Sequence, residues 1–208
     1  MMMKLSILPI AVLISTNAIA GSAVMLPEPS PQVMAAPSLV SSVYDWSGLY
    51  VGGVVSFDSG ERDYDEINTF PYDAVTNYGG FAGYNFQSGA IVYGAEVSAT
   101  TGTFIPVGFP DENHTYFLDV KARVGYAAGN ALIYAAAGGS WSHFATDLDY
   151  NLSGFNYGAG VDYAFGEHMF AGIEYMARNV SGYRGGDTSD THAVVTTQSI
   201  QLRIGYNF

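Results

Sequence analysis

The chain ends on a strict alternation. Ile200, Leu202, Ile204, Tyr206 and Phe208 are apolar or aromatic, and Ser199, Gln201, Arg203, Gly205 and Asn207 between them are polar or tiny. Period-two alternation marks a strand with one apolar and one polar face. The same pattern recurs upstream. Residues 47–57 carry Leu49, Val51, Gly53, Val55 and Phe57 on one face. Further strands are predicted at 74–86, 91–101, 115–127, 132–144, 152–165 and 168–178, with the last at 199–208. The clearest is 115–127, where Tyr116, Leu118, Val120, Ala122, Val124 and Tyr126 oppose Phe117, Asp119, Lys121, Arg123 and Gly125. In 132–144, Ala and Gly occupy both phases, so its facing is not assigned.

Eight strands joined alternately by long and short connections predict a closed up-and-down sheet. The long loops follow strands one, three, five and seven, the first of them over residues 58–73 and the last from 179 to about 192. The short turns are Gln87-Ser88-Gly89, Ala128-Gly129-Asn130 and Gly166-Glu167. Strands of this length suit a tilted membrane crossing, which needs about 9–11 residues. Tyr84, Phe86, Tyr126, Tyr163, Phe165, Tyr206 and Phe208 sit at strand ends, where an interfacial aromatic girdle belongs. The fold expected is an all-β, eight-stranded antiparallel up-and-down transmembrane β-barrel over residues 46–208, with both chain ends in the periplasm and the long loops outside.

Composition strengthens the membrane reading. Only 12% of the 208 residues are charged, against about 25% in soluble domains. Aromatics are abundant, and no stretch after the N-terminus reaches the roughly 18 apolar residues of a membrane helix. Residues 1–20 read as a secretory signal: Lys4, the apolar run from Leu5 to Ile14, then Ala18-Ile19-Ala20 as a cleavage site. Residues 21–45 carry four prolines without periodicity and are expected to be a flexible periplasmic leader. The formal net charge of −12 argues against a nucleic-acid partner. With no cysteine, neither disulfides nor a thiolate metal site is available.

Charge placement separates this barrel from a soluble ligand carrier, which would keep its charges outside. Lys121, Arg123, Arg178 and Arg203 all fall on polar strand faces, as do Glu96, Asp119, Asp162 and Glu174. Four cations and four anions on one face fit a closed, self-neutralised interior, because an unpaired buried ion costs several kcal/mol or more. Pairs are predicted between Glu96 and Arg123 and between Glu174 and Arg203, extending to Asp119, Lys121, Asp162 and Arg178. They either plug the lumen and fix register or exchange partners as a gate. Eight strands leave an interior that side chains fill.

The segment Trp46-Ser47-Gly48-Leu49-Tyr50-Val51-Gly52-Gly53 resembles the W-[ST]-G-x-Y-x-G-G opening of small porin-like outer-membrane proteins, the outer-membrane immunogenic or opacity-type barrels. Gly79 to Phe86, Arg123 to Ala127, Gly158 to Tyr163 and Arg203 to Phe208 are similar to their second, fourth, sixth and last strands. Asp162 stands where a Glu is more usual. The family includes structural barrels, surface antigens, haemin binders and weak pores. The resemblance implies lipid, lipopolysaccharide and the barrel-assembly machinery as partners, with a monomer favoured. Leu202, Ile204, Tyr206 and Phe208 resemble the C-terminal signal that this machinery reads.

Other chemistry is weakly marked. Asp58, Glu61, Asp63, Asp65, Glu66 and Asp73 face only Arg62; Asp65-Glu66 could hold Ca²⁺ or Mg²⁺, but the spacing is not that of an EF-hand, and a solvated acidic surface is expected. Of His114, His143, His168 and His192, all but His168 fall near the outer rim, where haem ligation is conceivable without a marking spacing. His143 beside Ser140 and Ser142 invites a hydrolase reading that only geometry can decide. No cofactor and no enzymatic activity are expected. The strand glycines open no helix, so they make no phosphate loop, and they leave room for lumen residues such as Tyr50 or Phe81.

Overall fold

The computed structural model describes residues 43–64, 68–101, 113–145, 150–183 and 192–208. Eight strands follow in chain order: β1 (Gly48–Tyr64), β2 (Asn68–Ser88), β3 (Ile91–Thr101), β4 (Asn113–Ala128), β5 (Ala131–Ala145), β6 (Tyr150–Phe165), β7 (Met169–Tyr183) and β8 (His192–Asn207). Each pairs antiparallel with its neighbours, and β1 pairs with β8, so the sheet is a closed barrel. The closing seam runs from Tyr50 opposite Asn207 to Tyr64 opposite Ala193. No helix occurs among the described residues. The expected signal and most of the expected leader lie outside them.

Alternation sets the two faces. Leu49, Val51, Tyr93, Val124, Tyr157, Ile173, Leu202 and Ile204 point outward and are exposed, while the alternate residues are buried. That is the inverse of a soluble barrel, whose apolar side chains would be inside. β5 resolves here: Leu132, Tyr134, Ala136, Ser140 and Ser142 face in, and Ile133, Ala135, Ala137 and Trp141 face out. Alanine at 135, 136 and 137 carries no preference of its own, so the neighbours decide. Ala136 and Gly138 lie opposite Arg123 and Lys121, whose side chains need the space.

The end of the barrel that carries the long connections departs from the expected strand limits. Residues 58–73 do not form one long loop, because β1 runs on to Tyr64 and β2 starts at Asn68. Likewise β7 continues to Tyr183 and β8 begins at His192. The hydrogen-bond ladder needs only backbone. Where polar residues occupy both faces the ladder persists, but the apolar row that reveals a strand in sequence disappears.

The short connections define what we call the turn end. Gly89, Gly129 and Gly166 open the three turns with φ of 61°, 60° and 71°, the left-handed conformation that tight hairpins place on glycine. The opposite, or loop, end carries the other connections. Between the ends the interior is layered. Nearest the turns Tyr50, Val54, Phe81, Val92, Leu132, Ala164 and Phe170 form an apolar layer. A charged zone follows, and Phe117, Leu152, Val180, Ala193 and Val195 close the loop end with a second apolar cluster. Inward glycines make the aromatic layer possible. A Cβ on Gly83 would stand 2.3 Å from the Tyr50 hydroxyl oxygen, and one on Gly205 would stand 2.3 Å from Phe170 Cζ.

Candidate functional site: the charged lumen

Six ionisable side chains from five strands meet just above the aromatic layer. Glu96 (β3), Lys121 and Arg123 (β4), Asp162 (β6), Glu174 (β7) and Arg203 (β8) are each at most 4% exposed. Lys121 lies directly across from Glu96 in the β3–β4 register, with Nζ 3.0 Å from Oε1. Lys121 also bonds Glu174 across the lumen. Arg123 reaches Glu96 Oε2 at 3.0 Å and Asp162 Oδ2 at 2.8 Å. Arg203 reaches Glu174 Oε2 at 2.6 Å and Asp162 Oδ1 at 3.4 Å, and its Nη2 bonds Glu96. Each cation therefore serves at least two carboxylates. Removing one leaves more than one acid short of charge.

Aromatic side chains complete the polar shell. The Tyr50 hydroxyl donates to Glu96 Oε2 at 3.0 Å, and that of Tyr134 donates to Glu174 Oε2 at 2.6 Å. Arg123 lies over the Tyr134 ring, 3.8 Å from guanidinium carbon to centroid, and Arg203 over Phe81 at 4.1 Å. Such stacking supplies the guanidinium with favourable contact after it has lost water.

A second polar group lies toward the loop end. Arg178 donates to Asp119 from Nε and from Nη2, the latter at 2.8 Å, and approaches Asp58 Oδ1 at 3.9 Å. Ser140 and Asn156 also donate to Asp119, and Ser199 donates to Asp58. Asp58 and Arg62, which the sequence reading places in a loop, are buried in the lumen. The signal that finds them is the unbroken inward phase Val54, Ser56, Asp58, Gly60, Arg62, once hydrophobicity is dropped as a requirement. Among the described residues the interior then holds five acids, Asp58, Glu96, Asp119, Asp162 and Glu174, and five bases, Arg62, Lys121, Arg123, Arg178 and Arg203.

The remaining candidates do not converge on one centre. Ser140 and Ser142 face inward while His143 lies in the outward phase, so strand alternation separates the hydroxyls from the imidazole. His143 Nδ1 instead lies 3.1 Å from Asn151 Oδ1, and its ring stacks on Tyr116. His192 packs on Tyr183, and His168 on Tyr206. The His114 side chain and Asp65-Glu66 lie outside what is described. No cluster of three or more potential metal ligands occurs among the described residues. In β8, Leu202, Ile204, Tyr206 and Phe208 form an outward, exposed row.

Sequence reasoning missed the turn-end mouth. Tyr44 and Asp45, expected as the last residues of a leader, are fixed there. The Tyr44 N–H donates to the Gly129 carbonyl at 2.9 Å and its hydroxyl donates to that of Glu167 at 3.0 Å. Desolvation pushes the Tyr44 phenol above its ordinary pKa.

A family model described as the outer membrane protein beta-barrel domain matches residues 32–208. The chain belongs to this family. Similar proteins include the 25 kDa outer-membrane immunogenic protein of Brucella abortus, 28% identical over 93% of this chain and 92% of that one. The 22 kDa outer membrane protein of Rhizobium leguminosarum bv. viciae is 29% identical over 62% of each chain. Among solved structures, Neisserial surface protein A covers 78% of this chain and 98% of its own at 14% identity, with a TM-score of 0.48. OprG of Pseudomonas aeruginosa covers 80% and 98% at 15% identity, with a TM-score of 0.47. The protein is thus an outer-membrane β-barrel of Gram-negative type with surface-antigen-like relatives.

Proposed function

We propose that this barrel serves mainly as a structural, surface-displayed element of the outer membrane, and that its lumen is plugged rather than conducting. One observation carries the reading: ten buried ionisable side chains, five acids and five bases, fill the interior among the described residues. A water-filled channel would leave such groups hydrated. Here each desolvated ion depends on partners, and removing one partner of a buried pair typically costs about 3–5 kcal/mol. In this reading the turn end and both termini face the periplasm, and the loop end displays its connections outside. The bilayer and lipopolysaccharide surround the outward face, the barrel is monomeric, and Leu202, Ile204, Tyr206 and Phe208 present the row that assembly machinery reads. Catalysis has no part in it: the separation of His143 from Ser140 and Ser142 supports that.

The test is planar-bilayer recording of refolded protein, with heat-modifiable gel mobility as the folding check. The wild type is expected to show no discrete conductance steps; regular steps would overturn the plug. Steps that appear only with Arg203→Ala would favour the gate instead. The receptor alternative would recruit His143 or His192, both of which have ring or hydrogen-bond contacts. A haem difference spectrum without a shift counts against it.

A further inference from the structure

Residues 44–47 cross the turn end of the barrel before β1 begins. Their anchors come from all three turns and from the last strand. Tyr44 bonds the carbonyls of Gly129, between β4 and β5, and Glu167, between β6 and β7. Gln87, beside the β2–β3 turn, accepts from the Trp46 N–H at 2.7 Å and donates to the Tyr44 carbonyl at 3.3 Å. Asn207 Nδ2 donates to the carbonyls of Asp45 and Ser47 at 3.2 and 3.4 Å. Gly48 then turns the chain into β1 at φ 113°, where a Cβ would press on the Phe208 carbonyl at 2.9 Å.

Trp46 is the head of this strap. It points into the barrel, is 2% exposed, and packs edge-on against Phe170 with centroids 5.8 Å apart. Tyr44 closes over Trp46 from outside, with ring centroids 4.9 Å apart. Beneath lie Tyr50, Phe81 and Ala164 of the apolar layer. Yet the Trp46 indole N–H is buried with no hydrogen-bond partner. A buried unmade hydrogen bond opposes seating, and the other attachments are six separate hydrogen bonds to scattered partners, with no strand ladder among them. A segment held by one buried ring and by dispersed hydrogen bonds, outside the strand ladders that begin at Gly48 with β2 and at Tyr50 with β8, can leave as a unit without breaking the wall.

We propose that residues 44–47 are a releasable seal over the turn-end mouth, which keeps water from the aromatic layer while the charged zone above closes the lumen independently. The proposal extends the plugged-lumen reading and rests on it, by placing a second closure in series with the ion pairs. It gives the Trp-Ser-Gly run that leads into β1 a task. The Trp fills the mouth, Ser47 donates from backbone and hydroxyl to Asp45 to shape the bend, and Gly permits the turn into the wall.

Because the chain has no cysteine, single thiols test this cleanly. Ala164→Cys places a near-isosteric thiol under the strap, and Ser98→Cys places one in the charged zone above. Each is reacted with a charged, membrane-impermeant thiosulfonate in detergent-solubilised, folded protein. With the strap intact, the thiol at 164 is expected to react slowly. Trp46→Ala, or Gln87→Ala with Asn207→Ala, should accelerate it on the order of tenfold or more, as opening of a local cover does. The Gln87/Asn207 variant leaves the strap's own residues unchanged, so it remains informative if Trp46→Ala folds poorly. In a Trp141→Phe background it should also red-shift the emission of Trp46. A thiol at 164 that reacts equally with and without the strap, whether fast or slow, overturns the proposal. If releasing the strap also accelerates position 98, the seal stands and the independent closure by the ion pairs fails.

Discussion

Replacing Arg203 with methionine tests the interior charge balance most directly. The substitution keeps an unbranched, flexible stem and removes the guanidinium with its charge. Arg203 contacts Glu174 at 2.6 Å and Asp162 at 3.4 Å, bonds Glu96, and is the one Lys or Arg of β8, so its own strand offers no replacement cation. Three carboxylates, Glu96, Asp162 and Glu174, then share Lys121 and Arg123. One uncompensated buried charge corresponds to a loss of about 3–5 kcal/mol. At a urea dependence of about 2 kcal/mol per molar, the unfolding midpoint should fall by about 1.5–2.5 M. Adding Glu174→Gln restores neutrality, with Glu96 and Asp162 facing Lys121 and Arg123. The double variant should therefore lose less than the two single losses together, with a coupling of about 1–3 kcal/mol. The assay is equilibrium unfolding in lipid vesicles, followed by tryptophan emission and by gel mobility. A single loss below about 1 kcal/mol, or strict additivity in the double variant, would refute the account of the lumen as a mutually dependent set.

Two glycines should respond oppositely. Gly138→Ala forces a Cβ to within 1.9 Å of the Val120 carbonyl oxygen and should destabilise by about 1–3 kcal/mol, whereas Gly53 has its nearest neighbour at 3.9 Å and should accept alanine without loss. Similar midpoints in urea would contradict this. Trp141 is 46% exposed on the outward face and Trp46 is 2% exposed. Brominated acyl chains should therefore quench a Trp46→Phe protein strongly and a Trp141→Phe protein little, and the reverse order would place the wrong face in lipid. Deleting Phe208, which is exposed, is expected to lower membrane assembly in cells while refolding in detergent proceeds. Equal loss in both settings would argue against an assembly signal.

Sequence reading reached the fold because alternation is a physical requirement of a wall between lipid and a packed interior. β3 carries apolar side chains at every outward position from Ile91 to Ala99, and its limits are those expected. β1 and β2 run past the expected limits because Asp58, Glu61 and Asp63 look like loop in the sequence, although Asp58 is buried in the lumen and Glu61 and Asp63 fall in the outward phase. The interior ions were legible as a set, since eight of the ten fall in the inward phase of strongly apolar strands. The two predicted pairs, Glu96 with Arg123 and Glu174 with Arg203, are present at 3.0 and 2.6 Å, whereas the further bridges of Lys121 to Glu96 and Glu174 and of Arg203 to Glu96 and Asp162 have no signal in the strand pattern. Strand tilt lets Arg123, whose register partner is Gly94, reach Glu96, and lets Arg203 span to three acids. The strap escaped notice because its hydrogen bonds run to backbone carbonyls and to single side chains far along the chain. No local pattern announces such contacts.

The seam between β1 and β8 also bears on the order of events. Tyr50 pairs with Asn207, near opposite ends of the barrel sequence, and Asn207 is an anchor of the strap as well. Neither contact can form until the final strand has been delivered. A nascent sheet lacking it would present two open edges, which recruit foreign strands, and long-range pairing of this kind is slow. Completion of β8 is therefore the committing step. Arrival of the last few residues joins the wall, seats the mouth and removes the open edges together.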